Sequence, residues 1–248
     1  MSAVRRRGGV LDATVMAIVG VAILVGLGVW QLDRKVWKEK LNATLHERSA
    51  AAPQPLPPRA DWPRLTQNEG EFRRVAFPAE FIAGEEAYVY TAGSALRSDV
   101  KGPGYWVFAP ARLAGGSVVV VNRGFVPLDR KDPAARPGGA PAGVTDVVGA
   151  MRWPEERGMF TPADDRLADV WYLRDHVSMS DAKKWGTAAP FYIDQEAPVP
   201  TGGLPLPGRI DVQLRDNHLQ YAITWFGLAL GLAGVYVVWL AGRLRKRV

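Results

Sequence analysis

His218 is one of three histidines in the chain and the one whose neighbours suggest chemistry. Asn217 just before it is a helix-capping residue with Gln220 three positions on, which places His218 in the first turn of a helix. The positive end of a helix dipole disfavours imidazolium and favours the neutral ring, the form that ligates iron. Tyr221, Ala222 and Trp225 follow at i+3, i+4 and i+7, a small gap between aromatic walls against which a flat macrocycle can lie. The same residues also describe an ordinary interfacial histidine, and spacing leaves both readings open. Near the other end of the chain, Trp30, Arg34 and Trp37 share one face of a continuing helix. They read as an interfacial anchor with a snorkelling arginine, or as a cation between two indoles that holds a planar anion.

Other combinations offer less. Glu155-Glu156 and Asp164-Asp165 are adjacent pairs, and neighbours on a strand point to opposite faces, so neither is a natural acid/base couple. Ser117 lacks the glycine two residues later that a nucleophile elbow needs. Gly102-Pro103-Gly104 is a turn without the Gly-Lys-Ser/Thr of a phosphate loop. His46 and His176 stand far from each other and from His218, which argues against structural zinc. Cysteine is absent, which excludes disulfides, thiolate catalysis and thiolate metal sites.

These residues sit against two apolar stretches. Residues 13–30 are uncharged for 18 positions, and residues 219–240 are uncharged throughout. Either stretch, as a helix, is long enough to cross the hydrocarbon core of a bilayer, roughly 30 Å. The first passes directly into Gln31-Leu32-Asp33-Arg34-Lys35, as in an uncleaved anchor rather than a signal peptide. Small residues recur at four-residue spacing, Ala22 with Gly26 and Gly227 with Gly231, and direct packing of the two spans stays open.

Charge distribution indicates topology. Arg5, Arg6, Arg7, Arg243, Arg245, Lys246 and Arg247 supply seven cations at the chain ends, so against a net charge of +6 the remainder carries −1. Cations confined to span flanks mark orientation, not a nucleic-acid surface. The expected layout is a cytoplasmic N-terminus (1–12), a first span (13–30), a helical extension and proline-rich spacer (31–63), a β-rich domain (64–215), a second span (216–240) and a cytoplasmic tail (241–248). Both termini then lie inside a bacterial inner membrane and the domain lies in the periplasm, although Arg34, Lys35, Lys38 and Lys40 sit outside it against the positive-inside rule.

Within the domain, short runs rich in β-formers alternate with turn residues: 71–77, 88–91, 105–109, 117–122, 145–151, 170–173 and 191–194. One helix is expected from a capping box at residues 178–181, ended by Gly186. The fold class is a membrane protein in which two transmembrane helices flank a mainly antiparallel β (α+β) domain, an open sheet or a partly closed barrel.

Three blocks then stand out: GVWQLDRKVWK at 28–38, VNRGFVP at 121–127 and DNHLQYAITWFGL at 216–228. With the two-span layout and Gly202-Gly203, they resemble the signature blocks of the Surfeit-locus-one family nearly end to end. The resemblance implies an assembly factor, not an enzyme, for haem a-type cytochrome c oxidase. Its partners would be the large oxidase subunit and the haem a synthase as well as the lipid bilayer, with no nucleic acid. It implies haem a as a transiently bound cofactor with His218 as the iron ligand. Trp30, Arg34, Trp37 and Arg215, chosen from interface geometry and charge, are expected at the propionates and walls. A scaffold that steadies the oxidase subunit or the synthase without touching haem is the alternative. A membrane-tethered hydrolase would need a nucleophile–base pair that the sequence does not offer. Asn122-Arg123-Gly124 reads as a strand-ending turn with a structural arginine, or as a partner contact.

Overall fold

The computed structural model of the chain describes residues 2–94, 97–139, 141–210 and 217–245. In chain order its elements are α1 (Ser2–Ala50), β1 (Gln54–Pro55), α2 (Gln67–Gly70), β2 (Arg74–Phe81), β3 (Ala87–Thr91), β4 (Gly104–Arg112), β5 (Val118–Pro127), β6 (Val144–Arg152), β7 (Val170–Trp171), α3 (His176–Lys183), β8 (Ala188–Ala197) and α4 (His218–Arg245). They divide into two units, Met1–Ala43 with Leu214–Val248, and Thr44–Gln213.

The first unit is a pair of apolar helices. Both are long and apolar enough to cross a membrane. Met16, Ile18, Leu230 and Val238 are 63–75% exposed, a surface that water disfavours and lipid accepts. The chain is a two-span membrane protein.

The helices run antiparallel and touch along their length. The hydroxyls of Thr14 and Tyr236 hydrogen-bond at 2.6 Å, Gly20 lies under Leu232, and Gly28 lies under the Phe226 ring. A Cβ at Gly28 would sit 2.6 Å from that ring, so glycine sets the helix approach there. The small residues at the seam are Gly20, Gly28, Ala222 and Ala229 rather than Ala22, Gly26, Gly227 and Gly231. Those four do not line it: Ala22 is exposed, and a Cβ on each of the three glycines would meet open space. Four-residue spacing identifies a small stripe but not which stripe meets the partner.

The second unit is built on a barrel. β2 pairs with β6, β6 with β8, β8 with β5 and β5 with β4. β4 returns to β2 through Glu80–Arg112 and Phe81–Ala111, which closes the circuit. The β5–β8 pair is parallel and the other barrel pairs are antiparallel. In chain order the circuit reads one–two–three–five–four–one, the connectivity of an OB-type barrel. β3 and β7 extend the sheet outward from β4.

β5 shows why the valine run forms a strand. Val119 and Val121 enter the barrel interior with Val75, Phe77, Val147, Phe191 and Ile193. Val120 packs on the other face with Phe108, Met179, Trp185 and Tyr192, beneath α3. A strand covered on both sides reads as a continuous apolar run rather than an alternating one.

Three expectations are revised. The proline-rich stretch 50–63 is not simply a spacer: its Trp62 is buried, stacks edge-on against Phe191 and donates from Nε1 to the Pro57 carbonyl at 2.9 Å. α3 is capped by Asp175, whose carboxylate accepts from the Val177 and Ser178 amides, and it ends at left-handed Lys184 rather than at Gly186. Asn122-Arg123-Gly124 is not a turn, since β5 continues through it to Pro127.

Candidate functional site

His218 opens α4, and its half-buried ring meets the side chain of Gln31 on α1, with Nδ1 2.7 Å from Oε1. Helix geometry explains the meeting. Gln31 lies three residues after Gly28 and shares its stripe, so the close approach at Gly28–Phe226 carries the Gln31 carboxamide up to the first turn of α4.

The aromatic neighbours are arranged differently from the expectation. Ala222 is 1% exposed, so the seam of the helix pair fills the gap foreseen beside His218. Trp225 is half-buried and Tyr221 is exposed. Trp30, Arg34 and Trp37 do come together: the Arg34 guanidinium carbon lies 5.7 Å from the centroid of each indole. Both indoles are about half exposed, and at about 100° per residue this face lies about 120° around the helix from the stripe that holds Gly28 and Gln31. Arg215 lies outside the described residues, as does Asp216.

The barrel unit holds a separate polar cluster. Asn122 Nδ2 donates to Asp194 Oδ1 at 2.6 Å, and Arg152 reaches the other oxygen of Asp194 at 2.9 Å and Glu71 at 2.6 Å. Burial opposes the Arg152 charge, but Asp194 and Glu71 outweigh it and hold the guanidinium protonated. Arg123 bonds to Glu86 and to the Gly139 carbonyl. Its burial pulls the guanidinium below its ordinary range against the attraction of Glu86. Gly124, at φ 121°, lets the 204–208 segment lie on β5, where Phe125 and Leu206 exchange two backbone hydrogen bonds. The motif thus anchors the returning chain to the barrel.

Three of the four paired carboxylates also have structural partners. Glu155 binds Arg174, Asp164 binds Arg157 and the Tyr172 amide, and Asp165 accepts from the Leu167 and Ala168 amides. His176 is fully buried, with Nε2 2.9 Å from the Ala189 carbonyl. Among the described residues no cluster of three or more His, Cys, Asp or Glu side chains could hold a metal ion.

The SURF1 family model matches residues 18–230. Surfeit locus protein 1 of Rattus norvegicus is 36% identical over 235 residues, 91% of this chain and 74% of that protein. The Homo sapiens protein of the same name is 34% identical, over 89% of this chain and 74% of its own length. The Takifugu rubripes protein is 32% identical over 91% and 94%. The chain belongs to the SURF1 family.

The match begins inside α1 and ends inside α4, so it takes in both helices and the barrel. Two of the three blocks meet in this SURF1-family chain, through Gly28 with Phe226 and Gln31 with His218. The middle block lies in β5. Gln31 and Gly28 were absent from the expected site. Their signal in the sequence is a carboxamide and a glycine at i, i+3 where the apolar span ends, a stripe distinct from that of Trp30 and Arg34.

Proposed function

We propose that this SURF1-family membrane protein is a non-enzymatic assembly factor for haem a-type cytochrome c oxidase. It holds haem a near the outer membrane face and passes it to the large oxidase subunit, working beside the haem a synthase. The observation that carries this reading is His218, an imidazole at the mouth of a spanning helix with its ring steered by Gln31. A neutral imidazole nitrogen is an ordinary haem ligand, and the bound iron supplies the Lewis acid it holds. Trp30, Trp37, Tyr221 and Trp225 offer aromatic surface at the same helix pair, and Arg34 and Arg215 are cations suited to propionates.

A carrier must also release. One protein imidazole with an exchangeable second position suits that better than two fixed ligands. The cationic clusters at residues 5–7 and 243–247 support cytoplasmic termini in a bacterial inner membrane, with the barrel domain in the periplasm. The test is the visible spectrum of protein purified from a haem a-producing host. Wild type should carry a haem band that His218→Ala loses, and an unchanged band in the variant removes His218 from the role.

A second reading is a scaffold that steadies the oxidase subunit or the synthase without binding haem. Met159 and Phe160, 92% and 93% exposed on a loop held by Arg157–Asp164, favour it as a protein contact. It predicts co-purification with those partners and a colourless protein.

A further inference from the structure

We propose that Gln31 is a positioning residue: it fixes the tautomer of His218 and thereby selects Nε2 as the nitrogen that binds a metal-bearing ligand. The proposal rests on the haem-holding role given above.

The contact is compatible with one tautomer. A carboxamide oxygen carries no hydrogen, so with Gln31 Oε1 2.7 Å from His218 Nδ1 the pair is a hydrogen bond only when Nδ1 carries the proton. A neutral ring has one N–H, which leaves the lone pair on Nε2. An imidazole free in water prefers the opposite tautomer, with the proton on Nε2 and no lone pair there. Gln31 reverses that preference at the one histidine placed at the mouth of a spanning helix. Metal-binding histidines commonly donate their second nitrogen's proton to a neighbouring acceptor, which orients the ring and raises its donor strength.

The acceptor reaches His218 because of the helix seam. The two residues lie 187 positions apart in the chain, and Gly28 permits the approach that joins them. The choice of a carboxamide is also meaningful. A carboxylate there would draw the N–H more strongly and make Nε2 a stronger donor. A neutral oxygen sets the tautomer while keeping the donor moderate, as a site that must give up its ligand requires.

The test uses full-length protein in detergent or nanodiscs, with 15N-labelled histidine and the His218 signals assigned by loss in His218→Asn. Without ligand, wild type should show the Nδ1–H tautomer. Gln31→Glu should keep it, and Gln31→Met, similar in length but unable to accept strongly, should shift His218 toward Nε2–H. In protein from a haem a-producing host, pigment per chain should fall 10- to 100-fold in Gln31→Met, the usual range for losing such a partner, and return in Gln31→Glu with slower loss to an acceptor apoprotein. An Nε2–H tautomer in wild type, with the amide turned so that its NH2 donates to Nδ1, overturns the proposal. So does a Gln31→Met protein with unchanged tautomer and full pigment, while wild-type pigment that depends on His218 leaves the haem-holding role standing. A wild type without pigment overturns that role and the proposal with it.

Discussion

Gly124→Ala should destabilise the barrel unit far more than a routine glycine replacement. At φ 121° the residue occupies backbone space that L side chains rarely adopt, a strain of about 1–3 kcal/mol. A Cβ there would sit 2.1 Å from the Leu206 carbonyl oxygen and 2.5 Å from the Pro207 nitrogen, and both are backbone atoms that no rotamer change can clear. The 204–208 segment must therefore lift, which breaks Phe125 N–H to Leu206 O (3.0 Å) and Leu206 N–H to Phe125 O (2.8 Å). Each bond contributes about 1 kcal/mol, so the total loss is about 3–5 kcal/mol. For a unit of this size that is a fall in midpoint of about 6–20 °C. Gly116→Ala is the control: φ is 77°, nothing lies within 4 Å of the added Cβ, and only the conformational strain of about 1–2 kcal/mol applies. Thermal unfolding of the full-length protein followed by tryptophan fluorescence reads both, because Trp106 stacks edge-on against Phe125. Equal shifts in the two variants, or a Gly124→Ala midpoint within about 2 °C of wild type, would refute the view that this glycine exists to admit the returning strand.

Three further outcomes are expected. His176 is buried against Tyr192 with Nδ1 unpaired, and desolvation holds its pKa below the ordinary 6.5, so as pH falls past that value the unfolded chain takes up the proton first. Stability should be full above pH 6.5 and decline below it, by up to about 1.4 kcal/mol per pH unit, and the decline should flatten in His176→Phe when midpoints are compared between about pH 7 and 5. Trp62→Ala should lower stability by about 3–5 kcal/mol, read by the same melt, because it empties a site packed against Phe191. Gly28→Leu should force the helices apart at Phe226; since the chain has no cysteine, Thr14→Cys with Tyr236→Cys and a short bismaleimide provides a clean cross-link, whose yield should fall in the Gly28→Leu background.

Much of the fold was legible in the sequence because it follows from local rules. Each of the seven predicted strand runs overlaps an observed strand, since β-branched and aromatic residues between turn formers specify extended backbone whatever their partners. The two spans were legible because an uncharged stretch of that length has few other environments. What depends on contacts between distant residues was hidden. Closure of the barrel through Glu80–Arg112 and Phe81–Ala111 depends on register, which composition does not encode. Asn122-Arg123-Gly124 was read as a turn because an Asn and a Gly directly after a strand run normally mark one, whereas here Gly124 makes room for a backbone arriving from residue 206. Asp175 displaced the expected cap because its carboxylate accepts from two amides and also takes the Ser178 hydroxyl, which occupies the residue expected to open the helix.

The site divides in the same way. The position of His218 at the head of α4 was legible from the apolar run that follows it, and the shared face of Trp30, Arg34 and Trp37 from its spacing. The filling of the Ala222 gap and the partnership with Gln31 arise only when α1 and α4 pack, and no pattern within either helix records them.

The measurement that bears most directly on the central claim is rescue of a ligand vacancy at position 218. His218→Gly, produced in a haem a-making host, should lack the haem absorption of wild type and regain it when imidazole is added during purification. If His218→Gly retains the wild-type band without imidazole, the iron is held elsewhere and the account of this helix mouth is wrong.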